Sequence, residues 1–389
     1  MEGRRVAVTG IGVVAPCGTG KDAFWNGLLG PAPEGPRRVH DFDPEQWFPN
    51  PKEARRTDRF AQFALAAATM ALADSGEPGA DPSRAGVIIA TGVGGLATIE
   101  EQVRVFDSKG ARRVSPFLVP MMMANAGAAG VSMRFGWQGP CETVVTACAA
   151  STHGIANAAR LIAYGRCDAV LAGGSEAAMT GVGIQGFINM TAISSLGISR
   201  PFDAERDGFV IAEGAAVLVL EEWEAARARG AHVYGEIMGG ASTADAHHIT
   251  APSPGGAGAI ACIELALAEA KLSPGDIRQI NAHGTSTPLN DAAEAEAIEK
   301  VFGLPGPPVT STKGITGHAL GAAGAIEAAA VLMSMEHKLI PPTAGFAKPD
   351  PAVHLDIVGE ARPWDPSPTL SNSFGFGGHN GCLVIGPPA

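Results

Sequence analysis

Residues 144–164, opening Val144-Val145-Thr146-Ala147-Cys148-Ala149-Ala150-Ser151, decide how this chain is read. Two β-branched apolar residues lead in, and mostly small residues follow as far as Tyr164. That change of composition predicts a strand passing directly into a small-residue helix. Cys148 then falls at the helix N-terminus, where unpaired amides and the macrodipole favour an anion and lower a thiol pKa. Against this stands the ordinary fate of a free cysteine, a small buried core residue.

The same order recurs on either side. Val6-Ala7-Val8-Thr9 reads as a buried strand closed by a glycine turn at Gly10 and Gly12, and Thr19 reads as the cap of a helix through Phe24 and Leu28. Residues 31–54 read as an irregular surface loop, Arg59 to Ser75 as a long Ala-rich helix, and Val87 to Ala90 as a strand followed by the glycine loop Thr91-Gly92-Val93-Gly94-Gly95. Residues 117–133, with Met121-Met122-Met123, read as a buried or interface helix, and 169–172 and 216–220 as strands. Further on come a helix over 257–271, a strand from Ile277 to Ala282, a small-residue helix over 319–335 and a last strand, Cys382 to Ile385. Strand, glycine turn, Ala/Gly-rich helix, strand in both parts predicts a duplicated α/β unit with largely parallel sheets and one shared core. The two units are expected at 1–235 and 236–389.

Bulk composition narrows the class. Of 389 residues 46% are hydrophobic and only 17% charged, so a large core is available and a disordered chain is excluded. A net charge of −11 argues against a nucleic-acid partner. The six cysteines form no C-x-x-C pair, so no zinc or redox motif is signalled; their scatter fits a reducing cytoplasm, and no segment reads as a secretory signal or membrane span.

Two histidines lie in settings like that of Cys148. His283 ends a strand in Asn281-Ala282-His283-Gly284-Thr285-Ser286-Thr287-Pro288, and His318 follows Lys313-Gly314-Ile315-Thr316-Gly317. Each alone reads as a structural histidine. With a helix-start cysteine, both at element ends beside glycines, they point to thiolate chemistry. Lys313 and Glu294 read as a possible pair or as two solvated charges, and Glu327 as an ion partner or helix decoration. Ser373-Phe374-Gly375-Phe376-Gly377-Gly378 lacks a Lys and a following helix, so it is no phosphate loop; it reads as a hydrophobic gate or a tight turn with two core phenylalanines.

At this point the chain resembles the β-ketoacyl-acyl-carrier-protein synthases of the type I/II group, within the thiolase superfamily. The resemblance rests on Val8-Thr9-Gly10-Ile11-Gly12, Thr146-Ala147-Cys148, Arg200-Pro201-Phe202-Asp203, Arg206-Asp207-Gly208-Phe209, the run at 283–288, Lys313 with Gly317-His318, and Asn372-Ser373-Phe374-Gly375-Phe376-Gly377-Gly378, in that order. It implies a thiolase-like duplicated αβαβα layered fold and decarboxylative Claisen condensation of an acyl group with malonyl-ACP. Carried over by motif, Cys148 takes the acyl group as a thioester, and His283 and His318 hold the malonyl carbonyl as it becomes an enolate. The Cys148 and Phe374 amides form the oxyanion hole. Lys313 holds the histidine geometry with Glu294 as its counter-ion. Thr285 and Thr287 bind the phosphopantetheine arm, Phe374 gates the acyl channel, and Val93 and Phe376 line it.

No metal or organic cofactor is implied, since the substrates ride on the phosphopantetheine of an acyl carrier protein. Arg55, Arg56, Arg59, Lys109, Arg112, Arg113 and Arg206 match regions that dock the acidic carrier. A homodimer, or a heterodimer with a chain-length-factor-like subunit, is implied too. Fatty-acid and type II polyketide elongation stay open side by side, as do the proton roles of the two histidines. A non-catalytic chain-length subunit is disfavoured by the cysteine. A coenzyme A thiolase is disfavoured because Phe374 and His379 stand where thiolases place a second cysteine.

Overall fold

The computed structural model describes residue 1 and residues 3–388. Its centre is an eleven-stranded sheet. Ten of the strands, in chain order, are β1 (Val6–Ala15), β2 (Ala85–Ala90), β3 (Cys141–Glu142), β4 (Ala169–Glu176), β5 (Gly214–Glu222), β6 (Gly235–Ala244), β7 (Gln279–Asn281), β8 (Val309–Thr310), β9 (Thr369–Gly375) and β10 (His379–Gly386). Their spatial order is β3-β2-β4-β5-β1-β6-β10-β9-β7-β8, with Gly18–Thr19 a short hairpin partner of β1.

The sheet is mixed rather than largely parallel. Only β3-β2-β4 and β9-β7-β8 run parallel; the six strands from β4 to β9 pair antiparallel. Read outward from the β1/β6 seam, both directions give two antiparallel steps followed by two parallel ones. This palindrome is the duplication. The parallel steps come from strand–helix–strand crossovers, and the antiparallel ones fold each unit back onto the seam.

Two helices lie between the halves of the sheet: α2 (Ala150–Ala163) and α5 (Ala323–His337). They touch each other and strands of both units, and α5 is buried from Ala323 to Met335. Alanine and glycine on nearly every face make this possible, because a helix buried all round needs small side chains for close approach. On the outer faces α1 (Arg59–Ser75) covers β1 and β5, and α3 (Ala257–Ala270), with α4 (Pro288–Phe302) packed on it, covers β6 and β10. The result is helix, sheet, helix, sheet, helix.

Some local expectations are corrected. Gly10 and Gly12 do not end a strand; β1 runs through them to Ala15. Their hydrogens face the backbone of α1, where a Cβ would lie 2.2 Å from the Ala71 oxygen and 1.9 Å from the Ala67 oxygen. Thr19 does not cap the next helix, which starts at Lys21 after Gly20 without a side-chain cap. The 117–133 helix is two, Leu118–Met122 and Ala126–Phe135.

Candidate active site

Cys148 sits in a single 3-10 turn, Ala147–Ala149, that feeds α2. Ala147 has φ 50, a left-handed conformation that a non-glycine residue adopts at a cost. That elbow turns the sulfur into a cavity of about 770 Å³. His283 enters from the end of β7 and His318 from the turn before α5, and both are buried. His318 Nε2 lies 3.0 Å from Cys148 Sγ, and one ring nitrogen of each histidine and the sulfur lie within 4.8 Å of one another. The two imidazoles meet edge to face at 5.4 Å, and Phe209 packs edge-on against His318 at 5.2 Å.

Burial decides the protonation states. It pushes the Cys148 thiol up to about 11, against the opposing pull of the Phe376 amide, the Lys313 charge and the cysteine's own amide. The helix start therefore does not make a standing thiolate: desolvation outweighs the dipole. Burial also holds both histidines well below the usual imidazole range, reinforced by Lys313 and, for His283, by His318. Both rings are thus neutral at pH 7. The Lys313 ammonium lies 3.4 Å from His283 Nδ1 and also donates to the His283 carbonyl. An ammonium only donates, so Nδ1 accepts and the proton sits on Nε2, which faces the site.

The expected Lys313–Glu294 pair is not formed. Lys313 binds Glu327, on α5, and the pair is buried. Glu294 instead accepts the His283 and Gly284 amides, each at 2.8 Å, and the Asn372 side chain at 3.2 Å. It holds the backbone that carries His283. Burial raises both carboxyls to about 7, and Lys313 opposes this at Glu327. Lys313 also bears on the metal question. A cysteine and two histidines this close could ligate an ion, but a fixed positive charge beside His283 opposes a divalent cation where metal sites place a carboxylate.

The amide directed at the sulfur, beside that of Cys148, is Phe376's rather than Phe374's. Phe374 stands within β9, paired with Asn380 on β10, its ring 6.1 Å from that of His283. Phe376 follows on the turn, and both line the cavity with Val93, Thr285 and Thr287. The two threonine hydroxyls are 3.0 Å apart, and Thr287 also accepts the Asn290 amide at the start of the helix Pro288–Phe302.

Of the seven basic residues marked for docking, Arg55, Arg56, Lys109, Arg112 and Arg113 are exposed, Arg56 lying 4.3 Å over the Phe117 ring. The other two are engaged within the fold. Arg206 has a side chain only 6% exposed, bound to Asp350 and the Thr287 carbonyl. Arg59 turns inward to Glu213 and the Val39 carbonyl, its guanidinium 4.6 Å from the Phe63 ring.

A duplicated mixed-sheet fold whose two units meet around a cysteine elbow and two neutral histidines defines the thiolase-like class of acyl-transferring enzymes. Residues 30–226 match the Beta-ketoacyl synthase N-terminal domain and residues 234–347 the Beta-ketoacyl synthase C-terminal domain, so the chain belongs to the β-ketoacyl synthase family. It is 44% identical over 412 residues to 3-oxoacyl-[acyl-carrier-protein] synthase 2 of a Synechocystis species, covering 99% of this chain and 98% of that one. Among solved structures, the ishigamide ketosynthase/chain length factor matches with a TM-score of 0.93 and 32% identity over the whole of both chains. A type II polyketide synthase ketosynthase, bound to the hexaketide and in complex with its acyl-carrier protein, matches at 0.90 and 33%, again over both whole chains.

Proposed function

We propose that the chain extends a Cys148-bound acyl group by two carbons, using malonyl-ACP as donor. The observation that carries this is the convergence of Cys148 Sγ with His283 and His318 in an apolar cavity, under the Cys148 and Phe376 amides. In the first half-reaction the Cys148 proton passes to His318 Nε2 as sulfur attacks the acyl thioester. The two amides take the oxyanion, and holo-ACP thiol leaves with the proton. In the second, the malonyl thioester oxygen lies against the histidines. The C–CO2 bond breaks, its electron pair forms the enolate, and the His283 Nε2–H stabilises the oxygen. The enolate carbon attacks the Cys148 thioester, the tetrahedral oxyanion collapses, and sulfur leaves with the pair as β-ketoacyl-ACP forms, then takes a proton from water to restore the thiol. No step requires a metal or an organic cofactor.

Exposed Arg55, Arg56, Lys109, Arg112 and Arg113 would steer the acidic carrier, and Thr285 and Thr287 would hold its pantetheine arm. Val119, Met123, Met133, Val145, Val182 and Ile188 are large apolar residues left exposed, and β3 is a terminal strand of the sheet. These support a dimer, with a second copy or with a chain-length-factor-like subunit. We place the enzyme in the cytoplasm, with units divided near residue 235. Fatty-acid elongation is favoured by the 44% identity to the Synechocystis enzyme; the fold match to the ishigamide ketosynthase/chain length factor supports polyketide elongation as the second reading.

The test is intact-protein mass spectrometry after incubation with acyl-ACPs of graded length, then malonyl-ACP, with Cys148→Ala as control. An acyl mass on the wild type alone, discharged as β-ketoacyl-ACP, is expected. A wild type unloaded by every donor, with and without a partner subunit, overturns the assignment.

A further inference from the structure

Glu176 ends β4 and is fully buried, and the two half-reactions leave it without a role. Among the described residues its carboxylate has no Lys or Arg as a hydrogen-bond partner. It accepts the Gly92 amide at 2.6 Å, the Gly321 amide at 3.1 Å and the Thr91 hydroxyl at 3.1 Å. Thr91 in turn accepts the Gly94 amide at 3.2 Å. Each of these partners belongs to a piece of backbone that shapes the cavity. Gly92 and Val93 line one wall. Gly321 follows Leu320, which also lines the cavity and is held at φ 44, and His318 stands three residues before Gly321.

The two backbones are in direct contact. A Cβ at Gly321 would lie 2.1 Å from the Gly92 nitrogen, and one at Gly92 would lie 2.6 Å from the Glu176 carboxylate. Two backbone amides this close leave each other's donors unsatisfied unless one acceptor serves both, and Glu176 Oε2 is that acceptor.

We propose that Glu176 is a positioning residue that ties the acyl-channel wall at Gly92 and Val93 to the turn presenting His318, so one carboxylate sets both chain-length fit and decarboxylation geometry. This rests on the condensing reading above. Loss of the clasp frees both sides at once. Loss of Thr91 frees only the wall.

The test separates the half-reactions: Cys148 loading across acyl-ACP lengths by intact mass, and CO2 release from malonyl-ACP. Glu176→Ala is expected to lower decarboxylation at least tenfold and flatten the chain-length profile. Glu176→Gln keeps an oxygen for both amides and is expected to restore both readouts to within about threefold, since a hydroxyl can accept from the new amide group. Thr91→Ala is expected to shift the chain-length profile while decarboxylation falls far less than in Glu176→Ala. If Glu176→Ala does not fold, Glu176→Gln and Thr91→Ala decide alone. A Glu176→Gln enzyme tenfold or more below wild type in decarboxylation, or a Thr91→Ala profile superimposable on wild type, overturns the proposal. A wild type that neither loads nor decarboxylates sinks the condensing reading instead.

Discussion

The turns that open the two central helices are the same device used twice. In the first unit a 3-10 turn at Ala147–Ala149, with Ala147 at φ 50, feeds α2; in the second a 3-10 turn at Leu320–Ala322, with Leu320 at φ 44, feeds α5. Cys148 in one corresponds to Gly321 in the other. The amide of Cys148 faces its own sulfur beside that of Phe376, whereas the amide of Gly321 is taken by Glu176. Duplication supplied two elbows, and the occupant of one position made the first reactive and the second a brace. Backbone geometry therefore does not assign chemistry; the side chain and the fate of one N–H do.

Exchange at the two elbows should break in opposite ways. Cys148→Ala is expected to abolish acyl loading by intact mass while the histidine pair still releases CO2 from malonyl-ACP. Removing the facing donor, His283→Ala, should lower CO2 release about 10²–10³-fold, the usual loss for one oxyanion-type donor. Next in size is the ion pair beneath His283. Lys313→Met leaves Glu327 buried without its counter-ion and its carboxyl raised further, and a loss of about 3–5 kcal/mol is expected in urea unfolding at pH 8, where that carboxyl must still ionise in the wild type. Adding Glu327→Gln should recover most of it, and adding Glu294→Gln should not. At the second elbow, Gly321→Ala forces a methyl against the Gly92 nitrogen; a cost of about 1–3 kcal/mol is expected, with Cys148 loading retained.

The smallest effects concern pH. Burial keeps both histidines neutral, so decarboxylation should hold as pH falls through about 6.5, where an ordinary imidazole is half protonated. The carboxyls of Glu176, Glu294 and Glu327 are raised to about 7, so the folded state holds their protons more tightly than the unfolded chain. Their stabilising contribution is full below about 4.5 and is lost as pH rises through about 7. Glu176→Gln removes one of the three, and urea midpoints between pH 5 and 7 should then depend less on pH.

What could be read from the chain alone was local. Arg59 to Ser75 announced its helix by composition and was found at those bounds, and Cys148, His283 and His318 stood at element ends where side chains converge. Partners across the fold were not legible. Glu294 and Glu327 both lie on helices near Lys313 in sequence, and only the path of α5 through the middle of the molecule brings Glu327 to it. Gly10 and Gly12 looked like a turn because the demand on them comes from α1, some sixty residues away. Glu176 is nearly silent in the sequence. Its one signal is a carboxylate closing the small-residue strand Val170-Leu171-Ala172-Gly173-Gly174-Ser175, where a charge should not lie without a purpose. The thiol's resting state is not legible in the sequence, because a helix start is visible there and desolvation is not.

That resting state has a consequence for the enzyme's durability. Peroxides and other electrophilic oxidants attack thiolates, and their rate follows the ionised fraction and the access to it. With its thiol held at about 11 and buried, idle Cys148 offers little of either. Sulfur becomes a nucleophile only when an acyl donor fills the cavity and a neighbouring imidazole takes the proton. The apolar cavity that shelters the carbanion during catalysis thus also preserves the enzyme between turnovers, and molecules waiting for substrate should lose activity slowly when peroxide is added.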